Sequence, residues 1–440
     1  MSVPATSALR SATAPPGSAI GSDGRVLTRG FYQLTLVAVF LTAAAEIGVR
    51  ALPGLPTLSL LELVVIPAAL CLIVEILCRP RLRALSRACY RRNRPVVWYS
   101  GYAALASLAG LGRSLDTLRS FHELAIAGAL YVLVCLTVDD EARMRRLLAA
   151  ALAGAMVNVG LAVLQIGAGG PYIVPVSENI DAKLDLAGNV AGHLVTGLFN
   201  HPNGLAVFLL PVVLFLLAAA WAGFHTARRR GPLMAALLAL ALLVLARTYA
   251  KGAYAWLAAG GLALVLPRRF DRHRAWLAMA VAVAGVATLT WVSLDAFLEG
   301  DPALATIVSR IELWGATLDI LQSDSFVAGF GGGGSQLAGR TIAFEYTNAH
   351  NAWLDQTLTY GVPALVFYLG AYLTAFRSLA RRIRSESHPT RTLAIATYAS
   401  LLAILGESFF EPTNHSIAFQ AQLFLLFAIA GASPGSISPR

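Results

Sequence analysis

His350 and Asn351 end a polar run that begins at Glu345, and an apolar stretch follows them from residue 352 onward. The ordinary pKa of histidine lies near neutral pH, so an imidazole can take a proton from an attacking hydroxyl group. If the apolar stretch is helical, His350 lies at a helix N-terminus, which favours anions and disfavours imidazolium. The alternative is a capping residue whose polar atoms are satisfied by the backbone.

Four cations fall in segments that otherwise hold few positive charges: Arg247, Lys251, Arg310 and Arg340. They could simply reach lipid headgroups, as long basic side chains near membrane surfaces do. Guanidinium and ammonium groups also bind phosphate oxygens and stabilise charge on a departing diphosphate. We therefore predict that Lys251, Arg310 and Arg247 bind the diphosphate of a lipid substrate, and that His350 receives the acceptor proton.

Several uncharged or acidic residues near these groups could contact a sugar or an acceptor: Asn200, Asn203, Tyr346 and Asp355. The first two belong to a polar turn, where Asn and Pro are equally explained by turn and capping chemistry. No set of side chains has the spacing of a metal site, since His193 and His201 are eight positions apart in a loop. We expect neither a metal nor a cofactor.

A glycine-rich segment at 329–335 has two interpretations. Its backbone N–H groups could approach a phosphate, as such loops do elsewhere. It lacks the lysine and serine of a phosphate-binding loop, however, which favours a hinge.

Composition sets the framework that must position these residues. The chain has 440 residues, of which 57% are hydrophobic and 13% charged, whereas soluble domains carry about 25% charge. A helix needs about 20 apolar residues to cross a bilayer, and apolar runs of about this length recur throughout the chain. They predict an all-α polytopic membrane protein with about twelve helices. The predicted spans are at about 31–50, 57–78, 95–112, 122–138, 147–166, 203–223, 233–247, 253–267, 275–297, 352–376, 392–410 and 417–432.

Arginine clusters occur in alternate loops, so the net charge of +10 is a topology signal and does not indicate nucleic acid. These loops are at about 79–94, 143–146, 228–230, 268–274 and 381–391. Cytoplasmic loops collect Lys and Arg, which places this set inside and the intervening loops outside. The outside set then includes 167–202, 247–252, 298–351 and 411–416. The four cysteines fall in helices or in the loops that we place in the cytoplasm, and no disulfide is expected.

Three regions follow from this pattern. Residues 1–28 are predicted to be a disordered cytoplasmic tail, 29–432 a transmembrane domain, and 433–440 a second cytoplasmic tail. The outer loop at 298–351, between spans nine and ten, should contain a helix at 303–321 that begins after Asp301-Pro302. Arg310 and Trp314 lie one turn apart on that helix.

The motifs resemble those of the bacterial O-antigen ligase family, which shares a superfamily with O-antigen and exopolysaccharide polymerases. His350-Asn351 is followed by nine residues and then by Gly361, as in the family signature. The segment from Thr248 to Ala253 resembles the family's Ser-Arg-Gly segment, with Lys251 where arginine is usual. Ser309-Arg310 resembles its basic residue in the outer helix, and Phe199 to Gly204 resembles its turn before a mid-chain span. The similarity covers roughly 195–375.

The resemblance implies a glycosyltransferase of the C type in the bacterial inner membrane, with its active site toward the periplasm. The donor would be a glycan on undecaprenyl diphosphate, and transfer would need no metal. The acceptor would be lipid A–core in a ligase, or a second lipid-linked glycan in a polymerase. His350 and Asn351 would be catalytic, with His350 acting as a base or orienting the acceptor. A transporter with twelve helices is the alternative of a different class, although the chain shows no repeat between its halves.

Overall fold

Helices formed by the apolar runs make up most of the structure, which is a computed structural model. It describes residues 22–45, 47–49, 58–110, 116–168, 195–199, 201–226, 230–248, 250–265, 305–323, 329–331, 349–385, 388–411 and 416–432. In this part of the chain the helices are α1 Ser22–Leu41, α2 Leu60–Cys78, α3 Pro80–Arg92, α4 Arg94–Gly110, α5 Asp116–Thr137, α6 Glu141–Ala168, α7 Pro202–Thr226, α8 Arg230–Ala246, α9 Lys251–Val265, α10 Ala305–Ser323, α11 Ala352–Tyr360, α12 Val362–Ser385, α13 His388–Glu407 and α14 Ile417–Gly431.

Short irregular elements join α1 to α2. A 3-10 turn, Thr42–Ala44, continues α1, and two strands, Gly48–Val49 and Leu58–Ser59, pair antiparallel. Ser59 then starts α2 through a reciprocal cap, because its side chain accepts from Glu62 N and the Glu62 carboxylate accepts from Ser59 N. Residues 22–28 are helical, although the sequence placed them in the disordered tail. The rest of both tails lies outside the described residues.

Four helices are long and apolar enough to cross a membrane: Leu60–Cys78, Glu141–Gly167, Pro202–Trp221 and Val362–Ser385. Four further apolar helices are shorter: Arg29–Ala44, Phe121–Thr137, Gly231–Ala246 and Ile417–Gly431. Large aliphatic side chains on α2 face outward, with Leu77 65% exposed, as expected for a surface against lipid. The fold is all-α and that of a membrane protein. The predicted span at 275–297 lies outside the described residues, so the total of about twelve stays a prediction.

The core is centred on α14, whose residues are buried almost throughout and which packs against α5. Helix α13 lies beside it and contacts α7, α9 and α12. The C-terminal carbonyls of α14 accept hydrogen bonds from α12, with Ser378 Oγ 2.9 Å from Ala430 O and Arg382 Nη1 2.8 Å from Ile429 O. The last carbonyls of a helix have no donor within the helix, and an unpaired carbonyl is costly where water is absent. These two bonds satisfy such carbonyls.

The predicted span at 352–376 is two helices in the structure, α11 and α12. Gly361 separates them with φ of +85°, a conformation that glycine adopts without strain. Its N–H still donates to Thr357 O at 2.9 Å, closing the last turn of α11. Pro363 then lies in the first turn of α12, where its missing N–H has no cost. The break separates the short helix that follows His350 from the longer helix that crosses the core.

Helices α1 and α6 pack closely at Gly154. A Cβ atom on this residue would overlap the backbone carbonyl of Phe40 in α1. Gly160 lies six positions later on α6, and a Cβ atom added to it would meet no atom within 4 Å other than those of the adjoining helix backbone. Replacing each of these two glycines by alanine separates the effect of close helix packing on stability from the effect of helix propensity.

We expect Gly154→Ala to lower the free energy of unfolding by about 1–3 kcal/mol, because backbone atoms must move apart to admit the methyl group. Gly160→Ala is the matched control and should raise stability by about 0.5–1 kcal/mol through helix propensity. Thermal unfolding of the two purified variants in the same detergent compares them. Equal stability of the two variants would contradict the close approach.

Candidate active site

A turn in the left-handed conformation carries His350, for which φ is +47°. Such a conformation is uncommon for a residue other than glycine and requires support from its surroundings. The preceding residue provides it through both of its backbone polar groups. Ala349 N donates to Asp355 Oδ1 at 2.8 Å, and Ala349 O accepts from Trp314 Nε1 at 3.0 Å. The histidine is therefore positioned by α10 and α11 together.

The N-cap of α11 is Asn351, and His350 lies one residue before it. Asn351 Oδ1 accepts from Trp353 N at 3.0 Å and Leu354 N at 3.1 Å. Ala352 N donates to Ser408 O at 2.8 Å, which attaches the helix start to the end of α13. The capping alternative raised for His350 therefore describes its neighbour, and the imidazole is not the group that caps the helix.

The pKa of His350 is lowered from 6.5 to about 4, and burial is the largest cause. The charges of Arg310 and His201 also act to lower the pKa, whereas those of Glu411 and Asp355 act to raise it. The imidazole is therefore neutral at pH 7 and able to accept a proton. The charged groups that influence His350 therefore come from α10, from α11, and from residues next to the start of α7 and the end of α13.

Arg310 on α10 forms an ion pair with Glu411, with 3.1 Å between Nη2 and Oε1. Asn203 Nδ2 from α7 donates to the same carboxylate oxygen at 2.6 Å. Two sequence-predicted site residues thus meet at a residue that the sequence analysis did not single out. The arginine and glutamate side chains are 23% and 12% exposed, so the pair is only partly screened by solvent.

Glu407 is the second acidic residue that the sequence analysis missed. It is the last residue of α13, is 2% exposed, and lies four positions before Glu411. Its carboxylate packs against the start of α9, since a Cβ atom on Gly252 would lie 2.8 Å from Oε2. A signal was present in the sequence, because two carboxylates one helical turn apart at the end of an apolar span are unusual and indicate a candidate functional site.

The structure does not join the other predicted phosphate ligands to this cluster. Lys251 is exposed at the first position of α9, beside Gly252, and Arg247 is half-buried at the end of α8. Among the residues that the structure describes, no hydrogen bond or ion pair links either side chain to His350, Arg310 or Glu411. The connection between the helices is closed by Tyr254, whose hydroxyl donates to Ala246 O at 2.9 Å.

The remaining candidates divide into two groups. Asn203 and Asp355 are in place, but each makes a bond that organises the site: Asn203 with Glu411, and Asp355 with Ala349 N. Asn200 and Tyr346 lie outside the described residues, as does His193. Within the described ranges, no three His, Cys, Asp or Glu side chains form a group that could hold a metal ion.

The described part of the glycine-rich segment caps α11. Phe330 N donates to Leu358 O at 2.6 Å, and Gly331 N donates to Thr359 O at 3.0 Å. Gly329 has φ of +68°, and a Cβ atom there would lie 2.6 Å from Gly361 N. At 329–331 these two N–H groups are therefore bonded to helix carbonyls and are not free for phosphate. Residues 332–335 are outside the described part.

Two buried amides of α6 hold the turn that leads into α7. Gln165 Oε1 accepts from Thr196 N and Gly197 N at 3.0 and 2.8 Å. Asn158 Oδ1 accepts from Leu198 N at 3.0 Å, while its Nδ2 donates to Ala43 O at 3.1 Å. Buried amides that accept from three successive N–H groups restrain such a turn. The start of α7, which carries Asn203, is thereby fixed to α6.

The site thus combines a histidine with a lowered pKa, an arginine–glutamate ion pair and two buried acids, Asp355 and Glu407. These residues lie at the ends of apolar helices, some of which are long enough to cross a membrane. Residues 234–369 match the family model described as O-antigen ligase. This range includes seven of the nine predicted site residues: Arg247, Lys251, Arg310, Tyr346, His350, Asn351 and Asp355. The match covers less than half of the chain, and over this segment the protein is similar to the O-antigen ligase family. No curated protein matches the chain at a significant level.

Proposed function

We propose that the protein transfers a glycan from an undecaprenyl diphosphate carrier to an acceptor hydroxyl, as an O-antigen ligase. The observation that carries this proposal is the convergence of neutral His350 with Arg310 at one end of the helix bundle. A base that is unprotonated at neutral pH suits deprotonation of a sugar hydroxyl. A guanidinium group beside it suits a substrate that brings a diphosphate.

The reaction is a single displacement. The acceptor oxygen attacks the anomeric carbon, and the bond between that carbon and the diphosphate oxygen breaks. His350 Nδ1 or Nε2 takes the acceptor proton, and the electron pair of the broken bond leaves on the diphosphate. Arg310 stabilises that growing negative charge, which lowers the barrier without a metal ion. The anomeric configuration is inverted.

Other residues support these two groups. Asn351 acts by fixing the start of α11, and Asp355 acts by holding the Ala349 peptide, so both orient the histidine. Lys251 and Arg247 supply further positive charge for the diphosphate from the α8–α9 connection. Lysine retains the charge of the family's arginine at position 251 but lacks its two-pronged geometry. Asn200 and Tyr346 remain candidates for contacting the sugar or the acceptor.

The orientation of the helices supports a site on the periplasmic face of the inner membrane. Helices α7, α9 and α11 begin near the site, whereas α13 ends there. The arginine-rich segments adjoin the opposite ends, at the end of α7, the start of α8 and the end of α12. Because cytoplasmic loops collect arginine, the site faces the periplasm and both termini lie in the cytoplasm. We further propose about twelve spans in a C-type glycosyltransferase fold.

A repeat-unit polymerase would use the same donor and differs only in the acceptor. Purified full-length protein, reconstituted with lipid-linked repeat units, distinguishes the two. A ligase forms product only when lipid A–core is added, which is the result we expect. Elongated lipid-linked chains without lipid A–core would instead show a polymerase. Movement of a solute across the vesicle membrane with no new glycosidic bond would indicate the transporter alternative and overturn the proposal.

A further inference from the structure

We propose that Glu411 is a positioning residue that aligns the Arg310 guanidinium for the donor diphosphate. This inference rests on the proposed function, because it assigns a role within the same site. Glu411 lies beyond the segment that matches the family, which ends at residue 369. The assignment comes from contacts made across the fold.

Glu411 contacts the Arg310 guanidinium through one of its three nitrogen atoms. Its Nη2 is 3.1 Å from Glu411 Oε1, and the side chain remains 23% exposed. A guanidinium carries five N–H groups in a planar fork. Fixing Nη2 on a carboxylate orients that plane and leaves the N–H groups of Nε and Nη1 for phosphate oxygens. A charge-assisted bond of this kind restrains a long side chain that would otherwise sample many rotamers.

The carboxylate is itself held on a rigid turn. Glu411 N donates to Glu407 O at 3.0 Å, and Phe410 N donates to the same carbonyl at 2.8 Å. The Phe410 ring packs against Trp314, one turn from Arg310 on α10, with 6.3 Å between ring centroids. Phe409 packs against Trp353 of α11 at 3.9 Å. The turn that carries the carboxylate is therefore fixed to both helices that position His350 and Arg310.

Asn203 completes the arrangement from a third direction. Its Nδ2 lies 2.6 Å from the oxygen that also accepts from Arg310. A second donor on that oxygen limits rotation of the carboxylate and joins the outer end of α7 to α10. A carboxylate would repel a diphosphate, so Glu411 does not bind the donor itself. Its effect on donor binding is expected to pass entirely through Arg310.

A double-mutant cycle tests this dependence. The affinity of purified full-length protein for undecaprenyl diphosphate is measured in detergent for wild type, Glu411→Gln, Arg310→Ala and the double variant. Glutamine keeps an oxygen for Asn203 but removes the charge. We expect Glu411→Gln to weaken binding about tenfold in wild type and to have no further effect when Arg310 is absent. Transfer assays on Glu411→Gln should show a rise in KM for the donor that exceeds the fall in kcat.

Two further variants separate positioning from fold stability. Glu411→Asp retains the charge on a shorter side chain and should recover part of the lost affinity, which also covers the case in which Glu411→Gln does not fold. Asn203→Ala removes the link to α7 but leaves the ion pair, and it should weaken binding less than Glu411→Gln. A structural role alone predicts the same loss from Glu411→Gln with and without Arg310, together with a lower melting temperature, and this result would overturn the inference.

The cycle also distinguishes failure of this inference from failure of the proposed function. If Arg310→Ala weakens binding but Glu411→Gln acts independently of it, the diphosphate site stands and the role of Glu411 is rejected. If Arg310→Ala binds undecaprenyl diphosphate and transfers glycan as wild type does, both are rejected, since no guanidinium then needs alignment.

Discussion

Replacing His350 by alanine is expected to lower the rate of glycan transfer by about 10²–10⁴-fold, the contribution usual for a positioned general base. The loss should appear in kcat, because Arg310 and the rest of the diphosphate site remain. His122→Ala is the control, since this histidine contacts Glu62 of α2, outside the site, at 3.2 Å. Membrane levels of both variants are measured alongside transfer. Undiminished transfer by the His350 variant would remove this residue from the mechanism.

The pH dependence of transfer follows from the same histidine. Its pKa of about 4 means that the base is already unprotonated throughout the neutral range. Because protonation inactivates a base, kcat/KM for the donor should fall only as the pH drops through the folded pKa, well below 6.5. A bound diphosphate would raise this pKa, so the fall in kcat should occur at higher pH than the fall in kcat/KM.

Replacing Arg310 by alanine is the second large effect, with an expected loss of about 10²–10³-fold in transfer, comparable to removing one preorganised donor from a charged transition state. Lysine at this position should recover only part of the loss, since it retains charge without the planar fork. The affinity for undecaprenyl diphosphate should fall in parallel, which separates this variant from the His350 variant. Transfer and diphosphate affinity are measured on the same preparations.

Arg143 offers a matched control for the Arg310 variants. It is 26% exposed and pairs with Asp139 at 3.0 Å, so its burial and partner are similar. It lies at the start of α6, in the arginine-rich set predicted to be cytoplasmic. Arg143→Ala should affect stability without changing transfer per folded molecule. Equal losses from the two replacements would contradict a specific role for Arg310.

The sequence predicted those parts of the fold that depend on local pattern. The helix expected at 303–321 is observed as Ala305–Ser323, with Arg310 and Trp314 one turn apart on it. Apolar runs predicted most described helices. The sequence did not predict the break at Gly361, since a single glycine within an apolar run is compatible with a continuous helix. The approach of Gly329 to Gly361 joins segments that are 32 positions apart.

The centre of the site was only partly predictable, because its contacts join distant parts of the chain. Asn203 and Arg310 are 208 and 101 positions from Glu411, so no spacing rule relates them. The isolated cations drew attention to Arg310, but its carboxylate partner lay in the short connection at 411–416, in which the sequence indicated no site residue. Likewise, the sequence could not show which residue caps α11, and the structure identifies it as Asn351, which accepts from Trp353 N and Leu354 N.

The most direct test of sugar transfer at this site is the release of undecaprenyl diphosphate by purified protein. The protein is supplied with a lipid-linked glycan and lipid A–core, with a metal chelator present, and the free carrier and the glycosylated acceptor are quantified together. The account predicts one carrier released for each glycan transferred by wild type, and neither product from the His350→Ala variant. Release that requires a divalent metal ion, or that proceeds equally without His350 and Arg310, would contradict it.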